Sequence, residues 1–306
     1  MGTEDKLAVI EVCTRGTHLP VLEELLGAQD LKWASWWNPE TQAAVARIYF
    51  DDASTREPAL RHLREVLRDC SGLFAGDLPS LQTCELRRED WANIWKQYFH
   101  VFRASDRLVV KPTWESYEAA AGDIVLELDP GMSFGTGYHG TTRACLEYLD
   151  ELEREVGPVS LLDAGCGSGI LSLAAAKLGF RPVIAFDHDP DAVRVARENL
   201  ESAMEERVQV FCADVGAAPV HRGFRVVVAN ILAPVLQRHA RNLVGYLEQR
   251  GGGGCFLVLS GILESQYAET KEIFERHGVV ERSCKVHDEW QTGCFVLHSS
   301  QTRFRR

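Results

Sequence analysis

The stretch Leu161-Leu162-Asp163-Ala164-Gly165-Cys166-Gly167-Ser168-Gly169-Ile170-Leu171 constrains this chain more than any other. It leaves a β-branched and leucine run at Val159 to Leu162 and enters an alanine-rich helical pattern over Ile170 to Lys177. A buried strand must therefore turn sharply into a helix, the geometry that aims backbone N–H groups at a ligand. The next apolar run, Pro182 to Asp187, ends on a carboxylate. Glycine turn, helix, strand and acidic tip make one half of a nucleotide-binding crevice.

Which nucleotide follows from the spacing. Dinucleotide binding asks for G-x-G-x-x-G. Gly165 and Gly167 fit it, but Ile170 stands at the third position and the extra glycine comes one place early, at Gly169. No G-K-[ST] follows, so a phosphate-gripping Walker loop is excluded. Asp163 before the glycines and Asp187 at the next strand end suit S-adenosylmethionine, whose ribose hydroxyls a carboxylate accepts well. The cofactor's amino acid moiety is charged but small, so close backbone approach matters more than a phosphate cradle. A bare strand-to-helix turn would not call for three glycines and two carboxylates together.

A later buried strand, Arg225 to Asn230, ends in an amide followed by Ile231-Leu232-Ala233-Pro234. The C-terminal tip of such a strand lies on the ligand side of an α/β sheet. Asn230 there offers both an acceptor and a donor to position an attacking amine, while as a plain helix N-cap it would look similar. Upstream, Asp129 to Thr142 holds four glycines and four serine or threonine side chains around Phe134. That loop is either slack or a close-fitting lid, and its place before the half-site favours the lid.

Around these motifs the remainder alternates regularly. Helices are expected over Asp191 to Glu201, Ala233 to Glu248 and Ser265 to Arg276. Strands are expected over Val208 to Ala213, Cys255 to Ser260, Val279 to Val286 and Gly293 to His298. The result is an α/β, doubly wound, Rossmann-like sheet closed by a β-hairpin. Ahead of it, residues 1–88 read β-α-β-β-α-β, the order of a small α+β ferredoxin-like domain. Between them Trp91, Ile94, Trp95 and Tyr98 make one stripe of a helix capped by Asp90, either a platform for a partner or a packed connector. The expected domains are thus 1–88, a linker helix over 89–105 and a catalytic domain over 106–306.

The totals agree. At 306 residues the chain has ample core for two domains. Its net charge of −11 is spread along the chain, with no acidic tail or basic block to grip phosphates, so no direct nucleic-acid partner is expected. Nine scattered cysteines without a CxxC read as reduced thiols, with neither a disulfide framework nor a metal site. Without a signal region or a membrane-length apolar run, the chain is expected in the cytoplasm, off the membrane and as a monomer.

Asp163 to Leu171, the lid from Phe134 to Thr142, Asn230-Ile231-Leu232-Ala233, and Ser260-Gly261-Ile262-Leu263 together resemble the bacterial ribosomal protein L-eleven methyltransferases. The resemblance is strong from Trp91 to Leu263, returns at Asp288-Glu289-Trp290, and is only architectural before Trp91. It implies a seven-stranded class I methyltransferase domain behind a small domain that grips the substrate. It also implies S-adenosylmethionine as cofactor and methylation of lysine side chains or the N-terminal amine of a large-subunit ribosomal protein. Carried over by motif, the cofactor contacts fall on Thr142, Gly165, Asp187 and Asn230, joined by Phe134 and Gly135 of the lid and Gly167 of the turn. Asn230 would also position the amine. One departure stands out: the family usually has proline where this chain has Gly140, which implies a looser lid. The weak match of the first domain leaves another protein or a small-molecule amine open as the acceptor. A non-catalytic nucleotide-binding module is disfavoured by the intact lid and Asn230.

Overall fold

The structure, a computed structural model, describes residues 6–27, 29, 31, 33–37, 41–74, 76–87, 100–128, 140–203, 205, 207–220, 223–248 and 254–297. The chain separates into two compact units, Met1–Tyr98 and Phe99–Arg306.

The first unit follows the order β1 (Lys6–Arg15), α1 (Leu19–Gly27), β2 (Trp33–Trp37), β3 (Ala43–Phe50), α2 (Ala53–Asp69) and β4 (Ser80–Arg87). The strands form an antiparallel sheet of order β2-β3-β1-β4, the ferredoxin-like arrangement. Asp52 starts α2 by accepting from the backbone N–H groups of Ser54 and Thr55 at 2.8 and 3.0 Å. Leu60, Leu63 and Leu67, spaced three and four apart, then fall on one stripe and pack with Ile10, Val12 and Ile48.

The second unit opens with a small sheet of β5 (Phe102–Arg103), β6 (Leu108–Lys111) and β7 (Ile124–Glu127). After α3 (Gly140–Val156) come β8 (Leu161–Ala164), α4 (Ile170–Leu178), β9 (Val183–Asp187), α5 (Pro190–Ser202) and β10 (Val208–Cys212). The chain then crosses to β11 (Val226–Asn230), α6 (Ala233–Arg238), α7 (Ala240–Gly245), β12 (Cys255–Leu263), α8 (Glu264–Arg276), β13 (Val280–His287) and β14 (Trp290–Leu297). These last seven strands form one sheet, ordered β10-β9-β8-β11-β12-β14-β13. All its neighbours pair in parallel except β14, which is antiparallel to both β12 and β13. This is the α/β, Rossmann-like sheet expected from the alternation.

Central strands buried on both faces should be apolar, and β11 and β12 are as far as Ala229 and Leu259, after which Asn230 and Ser260 follow. Leu162, Val227 and Leu257 pack on one side with Leu236 of α6, Leu243 of α7 and Phe274 of α8. On the other side Ala185 meets Cys166 and Ala196. The single helix expected over Ala233 to Glu248 is two. His239 leaves helical geometry (φ −108°, ψ 17°), and its ring lies so close to Gly216 that a Cβ there would be 2.9 Å from it. The break accommodates that contact while Leu236, Ala240 and Leu243 all stay in the core.

Strand order reverses between β8 and β11. From β8 the chain adds strands outward to β10, and from β11 it runs the other way to β12 and the edge strand β13, with β14 returning between them. A crevice opens at the C-terminal ends of two strands whose connections leave in opposite directions, and ligands of open α/β sheets bind there.

Candidate functional site

Two strand tips meet at that crevice. Gly165 follows β8 with φ +80°, Gly167 has φ +51° and Gly169 has φ +81°, all in the left-handed region that side chains avoid. Gly165 is also crowded: a Cβ would come 2.4 Å from Cγ2 of Ile231, the residue after β11. The turn can therefore run this close to β11 only as glycine. Gly169 lies against Ala196 of α5, where a Cβ would sit 3.1 Å away.

Asp187 at the tip of β9 is tied to the same turn. Its Oδ2 accepts from the Gly167 N–H at 2.9 Å, and its Oδ1 accepts from the Asp189 N–H at 3.0 Å. His188 Nδ1 lies 3.2 Å from Oδ1. An ionised carboxylate has about four lone-pair positions, so the two backbone donors leave acceptor capacity for a diol. Asp189 in turn caps α5, accepting from the Asp191 N–H at 2.9 Å, with Pro190 in the first turn.

Asn230 ends β11 opposite Ser260 of β12. Its Nδ2 donates to Thr142 Oγ1, 3.2 Å away in the first turn of α3. Ser260 Oγ, fully buried, donates to the Thr141 carbonyl at 3.2 Å and contacts Thr292 Oγ1 at 2.6 Å. A hydrogen-bonded chain of small polar groups thus locks the start of α3 to β11, β12 and β14.

Asp163 has another place than the ribose side suggested by its position before the glycines. It lies fully buried beneath the turn, and its Oδ2 accepts from Ser172 Oγ of α4 at 2.6 Å. Its Oδ1 has no hydrogen-bond partner among the described residues. Burial, opposed by the Ser172 hydrogen bond and reinforced by the charge of Asp187, pushes its carboxyl up to about 7. The neighbouring thiols are inert for the same reason: burial pushes Cys145 up to about 12 and Cys166 higher.

The structure thus gathers Thr142, Gly165, Gly167, Asp187 and Asn230 around one crevice, while Phe134 and Gly135 lie outside the described residues. The helix expected over Trp91 to Tyr98 lies outside them too. Gly140 gains a packing reason: a Cβ there would fall 2.7 Å from Cβ of His287. Ile231, Ser260 and Gly261 lie in the quoted motif runs but had no role assigned there, and Thr292 lies in none of them. Gly261, with φ +80° and its Cα beside the Ile231 backbone, was signalled only by the run Ser260-Gly261-Ile262-Leu263. Among the described residues no cluster of three or more His, Cys, Asp or Glu is placed to hold a metal, and no helix is long and apolar enough to cross a membrane. All nine cysteines are unpaired.

Comparison with known proteins decides among the users of such a crevice. The family model described as Ribosomal protein L11 methyltransferase (PrmA) matches residues 26–297. This chain belongs to the ribosomal protein L11 methyltransferase family. A relative of that name from Geobacter sulfurreducens is 42% identical over 261 residues, covering 85% of this chain and 83% of its own. Another from Syntrophotalea carbinolica is 39% identical, covering 84% and 82%. A crystal structure of a ribosomal protein L11 methylase from Lactobacillus delbrueckii subsp. bulgaricus superimposes with a TM-score of 0.57 at 28% identity, over 65% of this chain and 97% of that one. Ribosomal protein L11 methyltransferases are class I enzymes, and the chain is accordingly a methyltransferase that draws its methyl group from S-adenosylmethionine. The glycine turn fits that cofactor: a backbone without Cβ atoms beside a carboxylate with spare acceptor capacity suits a small charged group next to a ribose.

Proposed function

We propose that this chain methylates amines of ribosomal protein L11, on lysine side chains, the N-terminal amine or both. In this reading Gly165 and Gly167 form the floor under the cofactor, Asp187 accepts from its ribose, and the Met1–Tyr98 unit carries substrate recognition. The observation that carries the reading is the Asn230–Thr142 hydrogen bond at the strand-order reversal. With Nδ2 engaged by Thr142, Asn230 keeps Oδ1 as its acceptor, the polarity that an incoming N–H needs.

Bound in this crevice, S-adenosylmethionine supplies a methyl group made electrophilic by its sulfonium. The residues of the chain have the remaining work. A lysine amine of ordinary pKa about 10.4 is protonated near neutrality, and freeing its lone pair costs roughly 4–5 kcal/mol. Neither Thr142 nor Asn230 is a base at that pH. Their role is to hold one N–H of the neutral amine so that its lone pair points along the bond to be broken. The displaced proton passes to solvent, and burial of the acceptor in the crevice lowers the cost of losing it.

Incubation with methyl-labelled S-adenosylmethionine and separated large-subunit ribosomal proteins tests the reading. Label is expected in L11, on amine nitrogen. Label confined to another protein or to small-molecule amines would overturn it.

A further inference from the structure

The backbone after Asn230 is held from both sides. Ile231 donates its N–H to the Ser260 carbonyl at 3.2 Å, and its Cγ2 methyl fills the space that Gly165 leaves open. Opposite, Gly261 packs so tightly that a Cβ on it would lie 2.5 Å from the Ile231 carbonyl oxygen. The Leu232 carbonyl accepts from the N–H groups of Val235 and Leu236 at 2.9 and 3.1 Å, which anchors it to α6. A turn clamped this way has little freedom to bury its next side chain. Leu232 stays 57% exposed, two residues beyond Asn230.

Single exposed leucines are common on protein surfaces and usually carry no meaning. Position makes this one different. Of the large apolar side chains exposed among the described residues of the second unit, the other two are Val280 and Val286, both on the edge strand β13. Leu232 alone stands where β11 opens into the crevice. A lysine reaches a deep polar site through a flexible four-carbon stem, and such stems lie along apolar surface while the nitrogen meets polar groups. An α-amine has its nitrogen on Cα and brings no stem.

We propose that Leu232 is a specificity-determining residue whose side chain packs along the methylene stem of the lysine offered to Asn230. It thereby favours lysine side chains over the N-terminal amine. The inference rests on the amine-methylation reading given above. The clamp by Gly165 and Gly261 is what gives Leu232 a fixed place from which to select.

The test compares wild type, Leu232→Ser and Leu232→Met on unmodified ribosomal protein L11. Mass spectrometry follows methylation at lysine and at the N-terminal amine separately, and calorimetry measures the affinity for S-adenosylmethionine. Withdrawing apolar contact from one or two methylenes should raise KM at lysine about fourfold to fifteenfold in Leu232→Ser. The ratio of lysine to N-terminal methylation should fall in step, cofactor affinity should stay within about twofold of wild type, and Leu232→Met should recover most of the loss. An unchanged KM and ratio in Leu232→Ser would overturn the proposal. So would an equal loss at both amines or a parallel loss of cofactor affinity, since a merely structural leucine predicts those. If wild type itself leaves L11 unmethylated, the proposed function fails instead, and the two failures are distinct.

Discussion

Asn230 at the end of β11 donates to Thr142 in the first turn of α3 across 3.2 Å, joining two residues 88 positions apart. The contact occupies the Nδ2 end of the amide and leaves Oδ1 as an acceptor. If that orientation positions the amine, Asn230→Ala should lower kcat about a hundredfold, the scale of losing one aligned polar group at a reacting centre. Cofactor affinity should move much less. A kcat within about twofold of wild type would show that Asn230 only ties β11 to α3, since the N-cap of α6 is Leu232.

Asp187 is predicted to act in binding. Asp187→Ala removes the acceptor for the Gly167 N–H together with the proposed ribose contact. Calorimetry with S-adenosylmethionine should show the dissociation constant rising about tenfold to a hundredfold, since hydrogen bonds to a charged group contribute about 1.5–3 kcal/mol. Affinity equal to wild type would remove Asp187 from the site.

Gly165 should resist even alanine. Positive φ and the 2.4 Å approach to Ile231 Cγ2 together predict that Gly165→Ala costs about 2–4 kcal/mol of folding stability. Adding Ile231→Ala should return the steric share but leave the backbone strain. Urea unfolding of the two single variants and the double measures the coupling. Strict additivity would mean that Ile231 is not what crowds the turn.

The buried Asp163 predicts a pH signature. Its carboxyl stands at about 7 in the folded chain, against roughly 3.9 when unfolded. Between those values the folded state holds a proton that the unfolded state has released, so this group's contribution is fully present below about pH 4 and is lost as pH rises through 7. Asp163→Asn keeps an acceptor for Ser172 but does not titrate. Relative to wild type, the unfolding free energy of the variant should rise by on the order of 2 kcal/mol from pH 5 to pH 8. A difference that is flat with pH would refute the buried titration.

Legibility in the sequence followed the range of the interaction. The strand-to-helix turn at Gly165 to Gly169 was readable because three left-handed residues leave three glycines, and α2 because Leu60, Leu63 and Leu67 repeat at helical spacing. The break at His239 was not, because it goes with a close approach to Gly216, which no local pattern records. Asp163 and Asp187 look equivalent as acidic residues beside the turn, yet one is sealed under it and the other faces the crevice. The strand pleat and the packing of α4 make that distinction, through Ser172.

The sequence by itself determined the class of the protein: alternating buried strands and amphipathic helices, a glycine turn wrong for dinucleotides, and an acidic tip on the next strand. Those are local properties, set by which backbone angles and which faces each residue can adopt. Only the tertiary structure decided how the site is built. Reversal of strand order between β8 and β11 brings Gly165 against Ile231, Thr142 against Asn230 and Gly261 against the turn that exposes Leu232. Contacts between residues this far apart depend on the register and order of strands, so the glycine turn meets Ile231 only when β11 is laid beside it.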